Sequence, residues 1–478
     1  MSYKILSISI FLLTVLNFYT IQGQVQKINP KDEIVLNNLF ATINANDSLQ
    51  VRKFITENFT PKFLHMGPMK MHQEAFLNFY LQTGGLILDS TSVKSAQEKT
   101  VTSLYCHDKN FSLYHTITSD FSLDHKVDGI KISPTRLEDL HLKALNDKTL
   151  KDEIADILKK SRSKDAFSGV VLIAKGPKIL FEQAYGEASK SYHVVNKIDT
   201  KFNLGSMNKM FSAISVMQLW EQGKIKLNDP ISKFVDESWL PKRITDKITI
   251  QHLLTHTSGL GSYFNETFFN SSRELYRKVD DYKPLVKNDT LLFEPGSKYE
   301  YSNTGILLLG VVIEKASGKD YFGYIRNNIY QPAGMIHSDS YELDRPIENL
   351  AEGYIKTDRG FENNIFRHVL KGGPAGGGYA TAPDLHKFAL ALMDGKLVSK
   401  TTLEKMSQDY QGNGYGFGFQ IKKIGSEKVV GHAGGFPGIS SSLEIFTNKG
   451  YTSIVLSNYD SGHLIVDKIR ELIYRLKK

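Results

Sequence analysis

The chain has 478 residues, a formal net charge of +8, 41% hydrophobic residues and one cysteine. This hydrophobic fraction, with 37 glycines and 14 prolines, excludes collagen-like, low-complexity and wholly disordered chains, and the length predicts two or three domains with a large apolar core. The single cysteine excludes a disulfide within the chain, and scattered rather than clustered basic residues predict no nucleic-acid partner.

The first residues are typical of an export signal. Lys4 gives a positive charge ahead of an apolar stretch from Ile5 to Phe18, and Gly23 is a small residue at the expected cleavage site before Gln24. The stretch is shorter than the roughly 20 apolar residues that a membrane span needs, and no cysteine follows it to carry a lipid anchor. The sequence therefore predicts a signal peptide over residues 1–23 and a protein that is periplasmic or secreted, with no stable membrane span.

Residues 24–135 form the first predicted unit. Apolar residues at helical spacing predict helices within 31–66, and a strand pattern follows from about Leu86 to Ile132. The predicted strands are 86–88, 101–105, 111–117 and 127–132. Helices followed by antiparallel strands indicate a separate α+β unit, in which Cys106 is expected to be a small buried hydrophobe. No residue set here has a catalytic pattern, which leaves substrate binding, partner docking and plain stabilisation open as its role.

A linker over residues 136–150 leads to the larger unit, residues 151–478. It opens with a predicted hairpin whose strands, 169–174 and 178–185, flank Gly176-Pro177. The middle, roughly 206–410, is mostly helical in pattern. The last elements are predicted as strands over 415–421, 428–430, 440–446 and 451–456 and a helix over 464–476. Strands at both ends with helices between them indicate one sheet built from both ends of the unit.

The strongest candidate for chemistry is Ser206-Met207-Asn208-Lys209. The apolar positions after it, spaced for one buried helix face, are Met210, Phe211, Ile214, Met217 and Trp220. This places Ser206 at a helix N-terminus and Lys209 one turn later on the same side. A serine hydroxyl needs a neighbour to take its proton, which a desolvated lysine can do, and a helix N-terminus offers an N–H to an oxyanion.

The Ser-x-x-Lys motif is weak evidence by itself. Ser161 to Lys164 matches it too, and an N-cap serine followed by a surface lysine would leave the same letters. A second candidate, Tyr301-Ser302-Asn303, precedes an apolar helix predicted over 304–313. Tyr301 can act as an acid or base there and Asn303 can hydrogen-bond a substrate amide and Lys209, but a turn tyrosine beside a capping asparagine fits as well.

A third candidate is His432-Ala433-Gly434-Gly435, at the end of a predicted strand. Glycines at a strand edge let a substrate backbone approach closely, and their N–H groups can complete an oxyanion hole with that of Ser206. The alternative is a glycine-rich hairpin with an incidental histidine. The order of the three motifs along the chain is more specific than any of them alone.

With these motifs in this order, the sequence resembles the serine β-lactamase and DD-peptidase superfamily, and within it the branch of class C β-lactamases, D-aminopeptidases and family VIII esterases. The resemblance runs from about residue 150 to 475 and includes the segments 248–260 (ITIQHLLTHTSGL), 331–335, 376–379 and 415–419. It implies an α+β / α/β multidomain protein with an antiparallel sheet flanked by helices and a helical subdomain. The N-terminal unit resembles the NTF2-like α+β cone fold more loosely.

The resemblance also implies a role for each candidate residue. Ser206 is implied to be the acylated nucleophile, Lys209 its activating partner and Tyr301 the acid/base of a serine hydrolase, an esterase, D-amino-acid peptidase or β-lactamase-like enzyme. The groups implied to bind substrate are Asn303, His432 and Gly434, with the N–H groups of Ser206 and Gly435 as oxyanion hole. No metal or cofactor is implied, the partner is a small-molecule or peptide substrate, and the resemblance leaves open whether lysine or tyrosine is the acylation base.

One residue departs from the family pattern and several alternatives stay open. Ala433 stands where penicillin-recognising members commonly carry a hydroxyl that contacts the substrate carboxylate, which favours an uncharged ester or a different peptide end. His252 and His256 have helical spacing but lack the glutamate of the metalloprotease motif, and no Gly-x-Ser-x-Gly supports an α/β-hydrolase. A penicillin-binding-type receptor that is acylated without turnover, or a non-catalytic binding protein, would share the same residues.

Overall fold

The N-terminal part consists of four helices and a four-stranded antiparallel sheet. The structure, a computed structural model, describes residues 28–96, 99–140, 142–357 and 359–477, and the predicted signal peptide lies outside them. The helices are α1 (Pro30–Ala45), α2 (Ser48–Asn58), α3 (Pro61–Leu64) and α4 (Met69–Thr83), and the strands are β1 (Leu86–Ala96), β2 (Lys99–Asp108), β3 (Tyr114–Phe121) and β4 (Val127–Pro134). The strands pair in the order β1-β2-β3-β4. The predicted order of helices and then strands is confirmed, while the likeness to the NTF2 fold stays a prediction.

Two local predictions in this part are wrong. Helix α4 was not predicted, because it fully buries only His72 and Thr83 and so shows no clear apolar stripe. Strand β3 begins at Tyr114 rather than at Phe111. The residues between β2 and β3 instead form a turn around the buried carboxylate of Asp108, which accepts hydrogen bonds from the N–H groups of Asn110 and Leu113 at 3.0 and 3.1 Å.

This turn joins the two parts of the molecule. Phe111 is fully buried, and it packs with Ile154, Val171 and Leu472 of the larger part in one apolar cluster. A hydrogen bond from the Lys468 Nζ to the carbonyl oxygen of Ser112 at 2.8 Å crosses the same contact. The turn is therefore a plug that seats the N-terminal part on the outer face of the larger one. Cys106, on β2, is fully buried as predicted, and burial raises the pKa of its thiol to about 12.

The larger part begins with α5 (Asp147–Ser163) and the hairpin β5 (Gly169–Lys175) and β6 (Lys178–Tyr185). Its middle consists of β7 (Glu187–Ser189), β8 (Val194–Val195), β9 (Phe202–Asn203), α6 (Asn208–Glu221), α7 (Lys242–Thr245), α8 (Ile250–Leu254), α9 (Glu266–Asn270), α10 (Lys283–Val286), α11 (Asn303–Ser317), α12 (Tyr321–Ile325), α13 (Gln331–Ala333), β10 (Tyr354–Thr357), β11 (Gly360–Asn363), β12 (Tyr379–Ala380), α14 (Ala382–Met393) and α15 (Lys400–Met406). The chain ends with β13 (Gln420–Ile424), β14 (Glu427–Phe436), β15 (Ile439–Phe446), β16 (Tyr451–Ser457) and α16 (Gly462–Tyr474).

One antiparallel sheet of six strands, in the order β13-β14-β15-β16-β5-β6, organises this part. The predicted sheet from both ends of the unit, flanked by helices, is thereby confirmed. Strand β5 is buried on both faces: Val170 and Leu172 pack on the side of α6 and α11, while Val171 and Ile173 pack on the side of α5 and α16. The predicted strand over 415–421 is wrong for most of its length, because Gly418 has a φ of 72°, which a strand does not accommodate.

The helices of the described residues were also compared with the thickness of a bilayer. None of them is both long enough and apolar enough to cross one.

Candidate active site

Ser206 lies in a 3₁₀ turn, Gly205–Met207, that runs directly into α6. The preceding glycine is required here for two reasons. Its φ is 49°, in the left-handed region, and a Cβ at this position would lie 3.1 Å from the main-chain nitrogen of Gly435 on β14. Gly205 therefore lets the start of α6 approach the strand closely, and this brings Ser206 beside Gly435.

Helix α6 is buried on all sides rather than on the one face that its spacing predicts. Every residue from Asn208 to Met217 is buried, whereas Trp220, expected in the core, is only partly so. The reason is its position, since α6 is covered by the sheet on one side and by α11 and α12 on the other. Lys209, a residue that belongs on a helix surface by composition, is thereby carried into the interior and has no exposed surface.

The amine of Lys209 has only uncharged oxygen atoms as hydrogen-bond partners. Its Nζ lies 3.0 Å from the Oγ of Ser206, 2.9 Å from the Oδ1 of Asn303 and 2.5 Å from the carbonyl oxygen of Ala375. Burial lowers the pKa of Lys209 well below its ordinary value of 10.5, because no carboxylate compensates for the lost hydration of an ammonium ion. The site therefore favours the neutral amine.

Asn303 and Tyr301 come from the start of α11. Ser302 is the N-cap residue of that helix, and its Oγ accepts the N–H of Gly305 at 2.8 Å. The Nδ2 of Asn303 donates to the Oγ of Ser262 at 3.1 Å, which turns its Oδ1 toward Lys209. The Nζ of Lys209 lies 4.8 Å from the ring centre of Tyr301. Burial raises the pKa of Tyr301, an effect that exceeds the opposite effect of its hydrogen bond with Ser206, so this side chain is a phenol.

Gly434 and Gly435 lie where β14 has lost one of its neighbours. Pairing with β13 ends at Gly431, so the residues from 432 onward form a local strand edge. A Cβ at Gly434 would lie 1.9 Å from the carbonyl oxygen of Leu204, whereas Gly435 is exposed with open space before it. Ser206, Asn303 and Gly435 line one cavity.

His432 is placed differently from the other predicted residues, because both of its ring nitrogens are already used. The Nδ1 lies 2.6 Å from the carbonyl oxygen of Ala433, and the Nε2 lies 3.1 Å from the hydroxyl of Tyr415. Since a carbonyl only accepts, Nδ1 carries the proton and Nε2 accepts from the tyrosine. Burial, followed by the charge of Lys209, lowers the pKa of His432 to about 3. The ring is neutral and has no free polar atom for a substrate.

His256 is a residue of this site that the sequence analysis considered only as a metal-binding alternative. It is fully buried, with a φ of 56°, and its Nδ1 accepts the N–H of Ser302 at 3.0 Å. Its ring centre lies 4.3 Å from that of Tyr301 and 4.6 Å from that of Tyr415. The signal for it lay in the segment ITIQHLLTHTSGL, where the sequence matches the family without naming a role.

The two histidines of that segment do not form a pair. Helix α8 ends at Leu254, before His256, and the Nδ1 of His252 accepts the N–H of Thr249 at 3.2 Å. Among the residues that the structure describes, no group of three or more histidine, cysteine, aspartate or glutamate side chains is close enough to hold a metal ion. The second Ser-x-x-Lys match is also structural, since the Oγ of Ser161 donates to the carbonyl oxygens of Ile157 and Asn110 at 2.8 and 3.2 Å.

The comparisons with known proteins agree on this part of the chain. The Beta-lactamase family model matches residues 150–475. Penicillin-binding protein 4* of Bacillus subtilis is 32% identical over 317 residues, which cover 62% of this chain and 69% of that protein. Among solved structures, a penicillin-binding protein from Bacillus halodurans is similar with a TM-score of 0.61 and 30% identity, over 69% of this chain and 99% of that one. D-amino acid amidase from Ochrobactrum anthropi SV3, complexed with L-phenylalanine amide, is similar with a TM-score of 0.58 and 26% identity, over 68% and 99%.

Proposed function

The chain belongs to the Beta-lactamase family, and on that premise we propose that it is a serine hydrolase that forms an acyl-enzyme on Ser206 and cleaves an uncharged ester or amide. The observation that carries this proposal is the buried amine of Lys209, whose Nζ lies 3.0 Å from the Oγ of Ser206 with no carboxylate among its partners. A buried amine held neutral beside a hydroxyl is a base placed on a nucleophile.

The hydrogen-bond inventory assigns the direction of the proton. A neutral amine has two N–H groups and one lone pair. The carbonyl oxygens of Asn303 and Ala375 only accept, so they take the two N–H groups. The lone pair is left for the hydroxyl of Ser206, which donates to it. Since burial also keeps Tyr301 a phenol, Lys209 is the acylation base and Tyr301 the acid.

The acylation step follows from these positions. The Oγ of Ser206 bonds to the substrate carbonyl carbon as its proton moves to Lys209, and the main-chain N–H groups of Ser206 and Gly435 hold the oxyanion. The bond to the leaving alcohol or amine then breaks, and the leaving group takes a proton from Tyr301. Lys209 returns its extra proton to the phenolate, so the proton of Ser206 ends on the leaving group. Water then attacks the acyl-enzyme, with Lys209 or Tyr301 accepting its proton, and Ser206 is released as a hydroxyl.

The proposal of an uncharged substrate rests on β14. At the position where many family members carry lysine, this chain has a neutral histidine with both nitrogens engaged, and Ala433 offers no hydroxyl. A substrate carboxylate would meet no cation from this strand. The amidase relative was solved with an uncharged amide. The relatives named penicillin-binding make acylation by penicillin without turnover the competing outcome.

The test is intact-protein mass spectrometry with a fluorophosphonate, an activated ester, D-phenylalanine amide, a D-alanyl peptide and penicillin. We expect a single adduct on the wild type that disappears in Ser206→Ala, and turnover of the ester or the amide. Ser161→Ala is the matched control, because it removes the serine of the second Ser-x-x-Lys match; it should be labelled like the wild type. A label that persists in Ser206→Ala contradicts the assignment. A penicillin adduct without turnover of any substrate would favour a receptor, and no adduct at all a binding protein.

Export and the division into domains are proposed on the sequence patterns. We propose that residues 1–23 direct export to the periplasm or the medium, and that residues 24–135 form an NTF2-like domain joined by residues 136–150 to the hydrolase. N-terminal sequencing of the mature protein should begin at Gln24. Limited proteolysis within 136–150 should release two folded fragments, unless the Phe111 plug holds them together.

A further inference from the structure

A second cavity adjoins the one that Ser206 lines. It encloses about 1500 Å³ and is open to solvent. The two cavities share Asn203, His368 and Ile439 as lining residues. Because the walls are continuous, a group bonded to a carbonyl beside Ser206 can extend into the second cavity without crossing the protein surface.

The walls of the second cavity are mostly apolar. They include Phe202, Phe269, Leu343, Leu350, Leu370 and Tyr379. At the rim, Ile365 is 54% exposed and Phe366 is 86% exposed. Large apolar side chains that stay exposed together at the mouth of a cleft are typical of a binding site rather than of a plain surface.

The charged residues of the wall offer little to a charged ligand. The guanidinium of Arg273 lies over the ring of Phe268, and it donates to four main-chain carbonyl groups. This leaves no paired N–H fork for a carboxylate. Glu352 accepts hydrogen bonds from Ser189 and Tyr354.

Two further titratable groups complete the wall. Burial lowers the pKa of His368, so its ring is neutral at physiological pH. Glu274 is exposed to water, where its charge is solvated. The second cavity therefore has the character of a neutral apolar site.

We propose that the second cavity is a subsite for an uncharged alkyl or aryl group joined to the carbonyl that Ser206 attacks. The inference rests on the proposed function and adds to it a class of substrate: esters or amides with an extended apolar group and no charge at its far end. Removal of that group from water supplies binding energy in proportion to its buried apolar area.

The test uses alkyl fluorophosphonates of increasing chain length, because they report binding without requiring turnover. In each reaction the Oγ of Ser206 bonds to phosphorus, fluoride leaves and the serine proton is released. We expect the second-order labelling rate to rise by roughly twofold to fourfold for each methylene from ethyl to octyl. A chain of octyl length that ends in a carboxylate should lose that gain. One series with the chain on phosphorus and one with it on the alkoxy oxygen tell which side of the carbonyl occupies the cavity.

The double variant Ile365→Ser, Phe366→Ala should reduce the octyl-to-ethyl rate ratio about tenfold while the ethyl rate stays unchanged. Ile336→Ala, another exposed apolar residue that lines neither cavity, is the matched control. Equal rates for all chain lengths in the wild type, or faster labelling by the carboxylate-ended chain, would overturn the subsite and leave the proposed function standing. Absence of labelling by every chain would instead remove the proposed function, and the subsite with it.

Discussion

Two buried lysines of this protein have opposite surroundings. Lys209 has no exposed surface and Lys468 is 5% exposed. The Nζ of Lys468 lies 2.9 Å from both carboxylate oxygens of Glu471 and 2.8 Å from the carbonyl oxygen of Ser112. Lys209 has three oxygen partners and none of them carries a charge.

The sequence spacing is the same in both places, so the difference comes from the partner. Lys468 and Glu471 are three residues apart at α16, as Ser206 and Lys209 are at the start of α6. With a carboxylate at that distance, burial produces an ion pair that holds the Phe111 plug in place. With a hydroxyl at that distance, the same burial withdraws the charge and leaves a base.

The largest expected effect comes from Lys209→Met. Loss of the base should slow fluorophosphonate labelling of Ser206 by about 10²- to 10⁴-fold. The free energy of unfolding should not fall, because the variant replaces a desolvated amine by an apolar group of similar size. Stopped-flow labelling and urea denaturation of the same preparation measure both. A variant that unfolds more easily yet keeps wild-type labelling would show that Lys209 is structural, and would break the comparison.

Lys468→Met should show the reverse pattern. It leaves Glu471 buried without its main partner, and we expect the free energy of unfolding to fall by about 3 kcal/mol, less whatever the Nη1 of Arg475, 3.4 Å from that carboxylate, recovers. Labelling of Ser206 should be unchanged below the unfolding transition. The double variant Lys468→Met, Glu471→Leu should recover most of the loss in urea denaturation. If the double variant is no more stable than the single one, the ion pair is not what stabilises this contact.

The smallest expected effect is a pH dependence. Burial lowers the pKa of Lys209 well below 10.5, so between these two values the unfolded chain binds a proton that the folded chain does not. Stability contributed by this site therefore rises with pH, by up to about 1.4 kcal/mol per unit, and the rise ends near pH 10.5. Urea denaturation of wild type and Lys209→Met across this range should give curves whose difference changes with pH in the wild type's favour. Parallel curves would mean that Lys209 stays charged when folded.

Local patterns were sufficient for the elements that lie alone on one sheet or helix. The hairpin of β5 and β6 was predicted to within a residue, because alternation and a Gly-Pro turn are local signals. Helix α4 and the plug at Phe111 were missed, since their burial depends on a partner distant in the chain. The complete burial of α6 was missed for the same reason, because it arises from layers on both sides of the helix.

The sequence by itself determined which side chains are available: a hydroxyl and an amine one helical turn apart, a phenol and an amide before α11, and glycines on a strand near the end of the chain. Only the tertiary structure decided their chemical state. The neutrality of the oxygens around Lys209, the engagement of both nitrogens of His432 and the position of His256 against Tyr301 all depend on contacts between distant segments. The physical reason is desolvation: the charge of a buried group is set by everything packed around it, and a sequence motif specifies only its neighbours along the chain.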